Sequence, residues 1–492
     1  MENNIRFRNH ISVVLEQLGA VFGVIFVLFI TNVDEVIEYV EHGNAEDMNV
    51  TLLIGAGAVF AILLFTFLYQ IMLWAKTYIS ICDNSIVIER NTLNKKKNTI
   101  GIKNISNVNT EQNLFEMLLG TCKVKLDTNS MSTSDKTDVK IVLKKADAER
   151  FRLYVMKLMR QNDGEFLEEE EAEMPWDMEA DFGDIFLHGL LSVNLLSVLV
   201  LLGGVVGVVA MVMTAVSKAR TGESVVGMLL SFVMVIFLFV SAIHDIAKGF
   251  IRYYGFKIAR NEEKLYIRYG LFKKVNYTIP VGKISALKIR QTWIARLTGR
   301  YMAEIINIGM GDDQAETEAF LFPYCKKVLM EERIRQFLPE FEAAVKEKPG
   351  RQPAGTWLAW LWPFLWYALV IGGAVVAGIV SLPKYQTWIL WMGIFCSMWG
   401  VALVLLRFLT AGCRMAEGHM ILVNGYFTKT FCYISYRNIQ HVELQQNFLA
   451  KLVKIQKGSA YLLASTANRA QGIPYFPEQE GEEVKKRILQ RD

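Results

Sequence analysis

The sequence predicts an α+β membrane protein with six transmembrane helices in three hairpins, each followed by a cytoplasmic split β-barrel that ends in a helix. Three observations support this fold class. Hydrophobic residues make up 52% of the 492 residues while charged residues still make up 21%, as in membrane proteins with large water-exposed parts. Six apolar runs are long enough to cross a bilayer. One strand–turn–helix segment recurs after each pair of runs.

The repeated segment, here the central segment, occupies residues 103–120, 283–299 and 437–454. Counted from its first isoleucine, each copy has an aliphatic residue at +3, glutamine at +7, a large apolar residue at +9 and leucine at +13. Such coincident offsets indicate an internal repeat, and we expect the apolar offsets to build cores. Glycine closes two copies at +15, but Lys454 stands there in the third, so that turn is expected to differ. The candidate motif residues are Ile105, Gln112, Gly120, Ile284, Gln291, Gly299, Ile439 and Gln446.

The six apolar runs come in three pairs, and each pair precedes one central segment. Each run is long enough for the ~30 Å hydrocarbon layer of a bilayer. Basic residues near the runs lie mostly on the side of the termini and central segments, which places both termini and all three modules in the cytoplasm. The runs are 11–30 with 50–75, 193–216 with 225–250, and 357–381 with 387–409.

Each module begins with alternating strands and ends in an amphipathic helix, at 147–159, 326–337 and 480–489. Several short antiparallel strands followed by one helix describe a small open barrel capped by that helix. The predicted boundaries are a first hairpin at 1–75, module 1 at 76–160, an acidic linker at 161–184, a second hairpin at 185–250, module 2 at 251–341, a linker at 342–356, a third hairpin at 357–409 and module 3 at 410–492.

The segments ISNV, ISAL and IQHV with their glutamines, followed by EMLLG, ARLTG and AKLVK, resemble a bacterial membrane family with pleckstrin-homology-like (PH-like) domains. The family was first catalogued as a domain of unknown function, and the resemblance is to its long type with three modules. It implies a PH-like split barrel with a C-terminal helix for each module, in the plasma membrane of a Gram-positive-type bacterium. It also implies a shorter companion membrane protein with one module, and a role in envelope maintenance or resistance to membrane-active compounds. It implies no catalytic residues.

The glutamines Gln112, Gln291 and Gln446 allow two interpretations. They could be recognition groups in a groove. Alternatively, each amide could bond backbone groups where a strand passes into a helix, because helix ends leave N–H groups unpaired. We favour the second interpretation.

Two further sets of residues are candidates for contacts with the membrane or with cargo. Lysines at matching places in the first two copies could meet anionic headgroups or could be solvated hairpin tips: Lys95, Lys96, Lys97, Lys273 and Lys274. Polar residues in or beside the second hairpin could form an intramembrane path or could reach the interface: His188, Asn194, His244 and Asp245. The second set leaves open an alternative function, a small-molecule or lipid exporter that uses the six spans.

The sequence contains no catalytic constellation and no motif for a cofactor or metal. Six scattered cysteines without a CxxC pair predict reduced thiols, and a net charge of +4 is too weak to indicate nucleic acid. We therefore expect a non-enzymatic membrane scaffold or binding protein. Its expected partners are the lipid bilayer, the shorter companion and further copies in a homo- or hetero-oligomer.

Overall fold

The structure is a computed structural model. The chain forms two compact units, which are described separately: Met1–Ser130 with Asp138–Ala172 and Lys273–Asn276, and Met131–Thr137 with Glu173–Phe272 and Tyr277–Asp492. The residues it describes are 5–16, 50–82, 84–92, 94–128, 139–163, 175–193, 195–218, 236, 240, 243–244, 247–261, 263–307, 319–464 and 466–489.

The first unit contains module 1, preceded by helix α1 (Val50–Ala75). Strands β1 to β4 form one antiparallel sheet in chain order, and β5 to β7 are consecutive neighbours in a second. The other side of β5 pairs with Lys274–Asn276, which belong to this unit. The strands are β1 (Ile5–Phe7), β2 (Thr77–Cys82), β3 (Ser85–Asn91), β4 (Lys95–Gly101), β5 (Ile105–Gln112), β6 (Thr121–Thr128) and β7 (Val139–Lys144), with helices α2 (Leu114–Leu118) and α3 (Lys145–Asp163).

The second unit contains modules 2 and 3. In module 2, strands such as β10 alternate outward side chains with fully buried ones, Leu265 and Ile267, the period-two pattern of a sheet with one face on a core. Its elements are β8 (Met178–Glu179), α4 (Phe182–Leu191), α5 (Leu195–Lys218), β9 (Lys257–Asn261), β10 (Lys264–Tyr269), β11 (Lys274–Pro280), β12 (Ile284–Gln291), α6 (Trp293–Leu297), β13 (Arg300–Asn307), β14 (Ala319–Lys326), α7 (Lys327–Phe337) and α8 (Glu342–Lys346).

Module 3 follows a helical hairpin and repeats the same order of elements. Strands β18 to β20 form a separate three-stranded sheet, whereas β15 to β17 continue the sheet of β12 to β14. The elements are α9 (Thr356–Ser381), α10 (Gln386–Thr410), β15 (Gly412–Met415), β16 (His419–Gly425), β17 (Lys429–Ser435), β18 (Ile439–Gln445), α11 (Phe448–Leu452), β19 (Ile455–Leu462), α12 (Thr466–Arg469), β20 (Ala470–Pro477) and α13 (Glu478–Leu489).

Each module therefore pairs sheets with a final helix, as predicted, and the closing helices predicted at 147–159, 326–337 and 480–489 are present as α3, α7 and α13. The order of the six-stranded sheet, β14-β13-β12-β17-β16-β15, was not expected. The prediction of one barrel for each module did not include this pairing, in which a strand of module 2 and a strand of module 3 share one ladder.

Two helices in the described part of the chain are long and apolar enough to cross a membrane, Thr356–Ser381 and Pro383–Thr410. They match the third predicted hairpin. The runs predicted at 50–75 and 193–216 are helical as α1 and α5. Their described apolar stretches, Ala61–Ala75 and Ser197–Gly207, are shorter than the two helices that could cross a membrane. Most of the runs at 11–30 and 225–250 lies outside the described residues.

Candidate functional site: the module junction and the apolar end

The three glutamines of the central segment make the same hydrogen bond. Each side-chain Nε2 donates to the backbone carbonyl of the residue nine positions later, at which the next strand starts: Gln112 to Thr121 at 2.7 Å, Gln291 to Arg300 at 3.1 Å and Gln446 to Ile455 at 3.0 Å. The amide thus ties the end of one strand to the start of the next across the short helix. This geometry supports the backbone interpretation, but the partner is a carbonyl at the start of the next strand and not an unpaired N–H group at the end of the helix.

The short helices between these strands begin with side-chain caps. The Thr292 hydroxyl accepts from the Ala295 backbone N–H at 3.3 Å, and Asn447 Oδ1 accepts from the N–H of Ala450 at 2.7 Å. Asn113 forms a capping box with Glu116. Because a helix start leaves backbone donors unpaired, such caps fix where the helix begins.

The turn that ends each short helix has a left-handed residue. Its φ is +65° at Gly120, +63° at Gly299 and +51° at Lys454. The expectation of a different turn in the third copy is wrong, because Lys454 adopts the conformation of the glycines despite its side chain.

The repeated apolar residues do not all build cores. Ile105, Ile284 and Ile439 are buried, as expected. The leucines at +13, by contrast, are among the most exposed large side chains: Leu118 is 86% exposed, Leu297 80% and Leu452 63%. At +9, Leu114 and Phe448 are also exposed. The prediction that every repeated apolar offset is a core position is therefore wrong for the short helices.

The short helices that carry these side chains lie next to apolar helices in modules 2 and 3. In module 3, Asn447 Nδ2 donates to the carbonyl of Ala359, in the first turn of α9, at 2.9 Å. The nearby hairpin tip between β16 and β17 places Phe427 against Trp399 of α10, with ring centroids 5.8 Å apart. In module 2, the Thr292 hydroxyl donates to the Leu191 carbonyl at the end of α4. We call the short helices and these hairpin tips the apolar end of a module.

Modules 2 and 3 are joined through β12 and β17. Six antiparallel residue pairs run from Ala286↔Ile434 to Gln291↔Lys429. Ala286 and Ile306, both fully buried, belong to the same hydrophobic cluster as Ile434 and Phe476 of module 3. Module 2 thus supplies part of the core of module 3.

Side chains reinforce this junction. The Ser285 hydroxyl donates to the Leu463 carbonyl at 2.8 Å, and Lys288 Nζ donates to Asn468 Oδ1 at 2.7 Å. Asn438 Nδ2 donates to the carbonyls of Ile284 and Ser285 at 3.0 and 3.2 Å. Such partly buried hydrogen bonds fix the register of the paired strands as well as adding stability.

A cavity of about 290 Å³ lies beside this junction in the second unit. Its lining includes the cations Lys248, Arg252 and Arg290. Glu304 is the one carboxylate among the described lining residues, and it lies 3.1 Å from Arg290. This balance of charge suits an anion. Among the residues that the structure describes, no group of three His, Cys, Asp or Glu side chains could hold a metal ion.

The polar residues proposed for an intramembrane path are not brought together in the described part of the chain. His188 is buried on α4, where its ring stacks on Tyr324 at 5.1 Å. Burial, with the nearby Arg252 charge as the smaller cause, lowers the pKa of His188 to about 3, so the ring is neutral at pH 7. His188, one of the candidates in or beside the second hairpin, therefore belongs to the packing of module 2. His244 is exposed, and Asn194 and Asp245 lie outside the described residues.

The candidate headgroup lysines lie at or near hairpin tips. Lys95, Lys96 and Lys97 start β4 and are exposed, and Lys97 also pairs with Glu89 at 3.1 Å. Lys274 starts β11 and is exposed. Lys273 lies 3.5 Å from the buried carboxylate of Glu111, so part of its charge is used within the first unit.

Comparisons with known proteins agree with the repeat. The family described as "Bacterial PH domain" matches residues 24–159, 195–329 and 367–492. The chain is 26% identical over 288 residues to the UPF0699 transmembrane protein YdbT of Bacillus subtilis (strain 168), which covers 55% of this chain and 58% of that protein. The match thus spans less than two thirds of the relative. No solved structure matches the chain.

Proposed function

Because the chain belongs to the bacterial PH domain family and is a membrane protein, we propose that it is a non-enzymatic scaffold whose PH-like modules bind one another and partner proteins. The observation that carries this proposal is the junction of β12 and β17, where one module completes the sheet and the core of the next. Pairing of strand edges combined with side-chain pockets is a recurrent mode of protein recognition. In this chain it already operates between modules.

The proposal includes six transmembrane helices with the modules and both termini in the cytoplasm. Its support is the bias of basic residues near the apolar runs, since Lys and Arg favour the cytoplasmic side. Cysteines placed in the loop at 32–49 would then react with an impermeant thiol reagent added to intact cells, whereas cysteines placed after residue 480 would not. The opposite labelling pattern would overturn this topology.

The apolar end supports contact of the modules with the bilayer. The exposed leucines of α2, α6 and α11 repeat at one place in three modules, and the tip residue Phe427 contacts α10, a helix apolar enough to cross a bilayer. An apolar side chain moved from water into lipid contributes about 1.5–3 kcal/mol. Lysines at hairpin tips, such as Lys95 and Lys274, add attraction to anionic headgroups of about 1 kcal/mol each.

We propose a role in envelope maintenance or resistance to membrane-active compounds, together with a shorter membrane protein that carries one PH-like module. The test is crosslinking in native membranes, followed by purification of the tagged full chain. We expect the companion to copurify, and a chain that lacks residues 410–492 to lose it and to sensitise cells. If the full chain is always recovered alone and the deletion leaves sensitivity unchanged, the scaffold function is wrong.

A further inference from the structure

Strands β5, β12 and β18 are equivalent, because each starts at the isoleucine of a central segment. Among the strands that the structure describes, β18 is the one of these three that has a free edge. Its counterparts start at the equivalent isoleucines and are covered on both sides. β12 lies between β13 and β17, and β5 lies between β6 and Lys274–Asn276. β18 pairs with β19 and ends its sheet. Module 3 thus presents an edge that the other two modules use for pairing.

The strands that cover these edges are also equivalent. β4, β11 and β17 each have seven residues and start ten residues before the isoleucine of the central segment. Both observed pairings have one register, since Gln112 lies opposite Lys274 and Gln291 lies opposite Lys429. In the described part of the chain, β4 is the strand of this type that ends its sheet. Among the described strands, each copy therefore has one free edge of the β18 type and one free strand of the covering type.

Exposure of the side chains follows the same division. Leu287 and Ile289 of the covered strand β12 are fully buried, whereas their counterparts Val442 and Leu444 in β18 are half-buried. The first five residues of β4 are exposed. In the paired strand β17, by contrast, Cys432, Tyr433 and Ile434 are buried.

We propose that β4 of one copy of this chain adds to β18 of a second copy, antiparallel and in the register of the β12–β17 junction. This inference rests on the proposed scaffold function and names one of its partners. The register places His441 opposite Ile100, Glu443 opposite Asn98 and Gln445 opposite Lys96.

The side chains of the two strands are complementary in this register. In the internal junction, Ala286 and Ile306 cover the core around Ile434. The residues at their places in module 3 are His441 and Tyr461, whose rings stack with centroids 4.1 Å apart and planes 11° apart. In the proposed pairing, the exposed ring of His441 and the half-buried ring of Tyr461 meet Ile100, a half-buried residue at the rim of the first unit's core.

Charge then selects the partner. Glu443 accepts from the Tyr461 hydroxyl at 3.1 Å and from Gln445 Nε2 at 2.8 Å. Because each carboxylate oxygen has two lone pairs, it keeps acceptor capacity for the amide of Asn98 and, diagonally, the ammonium of Lys96. Lysines on an edge strand discourage pairing with apolar edges, so the acidic residue on β18 favours β4 over other strands. Two different surfaces meet in this contact, and a head-to-tail contact of that kind gives a closed ring or an open filament.

The test uses disulfide crosslinking between two differently tagged full-length chains in one membrane. One chain carries Glu443→Cys and the other Asn98→Cys, both in a background with Cys82→Ser and Cys396→Ser. Directly opposite residues in an antiparallel pair have Cα atoms about 4.5–5.5 Å apart, within the range of a disulfide. We expect a disulfide-linked species that carries both tags. The matched control replaces Asn98→Cys by Thr99→Cys, which points to the other face and should crosslink far less.

A second measurement uses charge. Glu443→Lys should lower the yield of a His441→Cys/Ile100→Cys crosslink about fivefold, and Lys96→Glu in the other copy should restore it. Absence of a species with both tags, equal yields at positions 98 and 99, or crosslinking within one chain overturns the inference. Crosslinking of another protein at position 443 also overturns the β4–β18 contact, while leaving the scaffold function intact. If neither this crosslink nor copurification of the companion is observed, both proposals are wrong.

Discussion

Lys454 occupies a backbone position that two sister turns give to glycine. At φ = +51° an L-residue bears a cost of about 1–2 kcal/mol that glycine escapes. Lys454→Gly should therefore raise the unfolding free energy of the second unit by about 0.5–1 kcal/mol, after subtraction of the extra chain entropy that glycine loses on folding. The midpoint of thermal unfolding in detergent measures this change.

The matched control is Gly299→Ala. A Cβ at Gly299 meets nothing within 4 Å, so the substitution tests the backbone conformation alone and should destabilise by about 1–2 kcal/mol. A stabilising Gly299→Ala, or a Lys454→Gly variant that unfolds earlier, would contradict the assignment of these turns.

His188 makes the second unit sensitive to acid. The pKa of its ring is lowered to about 3, by burial first and by Arg252 second, whereas an unfolded histidine titrates near pH 6.5. As the pH falls from about 6.5 toward 3, the unfolded chain binds a proton that the folded chain excludes, so stability is lost by up to about 1.4 kcal/mol per pH unit. His188→Phe keeps an aromatic ring among Tyr253, Phe320 and Tyr324 and should remove this part of the slope.

The comparison is best made between pH 6.5 and 5, above the range where most carboxylates titrate. Identical pH dependence of the melting temperature in the wild type and His188→Phe would show that the ring is protonated in the folded state.

Sequence offsets predicted the role of the glutamines but not the direction of every apolar residue. Gln112, Gln291 and Gln446 stand where a strand meets a helix, which predicts a side-chain hydrogen bond to the backbone, although the acceptor is the carbonyl that begins the next strand. Leu118 and Leu297 repeat just as faithfully yet lie outside the cores. A five-residue helix is too short for a hydrophobic period to define its buried face, so repetition alone left the orientation of these leucines undetermined.

At the scale of elements, modules 1 and 2 have an ion pair at the same place, but the acidic and basic residues have exchanged strands. Lys125 and Glu111 are 2.5 Å apart and both buried, while Arg290 and Glu304 at the equivalent positions are 3.1 Å apart. Glu304→Lys should destabilise the second unit by about 1–3 kcal/mol, a range reduced from the buried-pair value because half of Arg290 is exposed. Arg290→Glu in the same chain should recover most of that loss, because the double variant reproduces the polarity of module 1.

A double-mutant cycle on melting temperatures measures the coupling. Glu347→Lys, which breaks the exposed pair between Glu347 and Arg414, is the control and should cost at most about 1 kcal/mol. If the double variant is no more stable than Glu304→Lys alone, the two side chains do not act as a pair.

The pairing of β12 with β17 could have been read from one feature of the sequence. Local alternation specifies strands but not their partners, and three repeats predict three similar barrels equally well whether they are separate or joined. However, β17 has a continuous apolar run, Phe431 to Ile434, and such runs are typical of strands with both faces covered. The equivalent run in β4, Lys97 to Ile100, has three polar residues and one apolar residue. β4 ends its sheet.

At the scale of the whole molecule, the repeat predicted three modules correctly in kind, and the matches at 24–159, 195–329 and 367–492 agree with them. What it could not predict is that modules 2 and 3 share a core. That property depends on the outward face of β12, where Ala286 is small enough to fit under Ile434. The equivalent position in module 3 is His441. The three copies thus differ at the residues that decide whether another strand covers the edge of the central strand.

The shared core makes a substitution in module 2 a test of module 3. Ala286→Asp introduces a carboxylate at a fully buried position, and burial of an unpaired charged or polar group costs about 3–5 kcal/mol. We expect limited proteolysis of the detergent-solubilised chain to cleave β18 to α13 of this variant much faster than in the wild type. His441→Asp, at the equivalent exposed position, should leave cleavage of a solubilised single copy unchanged. Equal resistance of Ala286→Asp and the wild type would mean that module 3 folds independently of its neighbour, since a core that needs Ala286 cannot tolerate aspartate there.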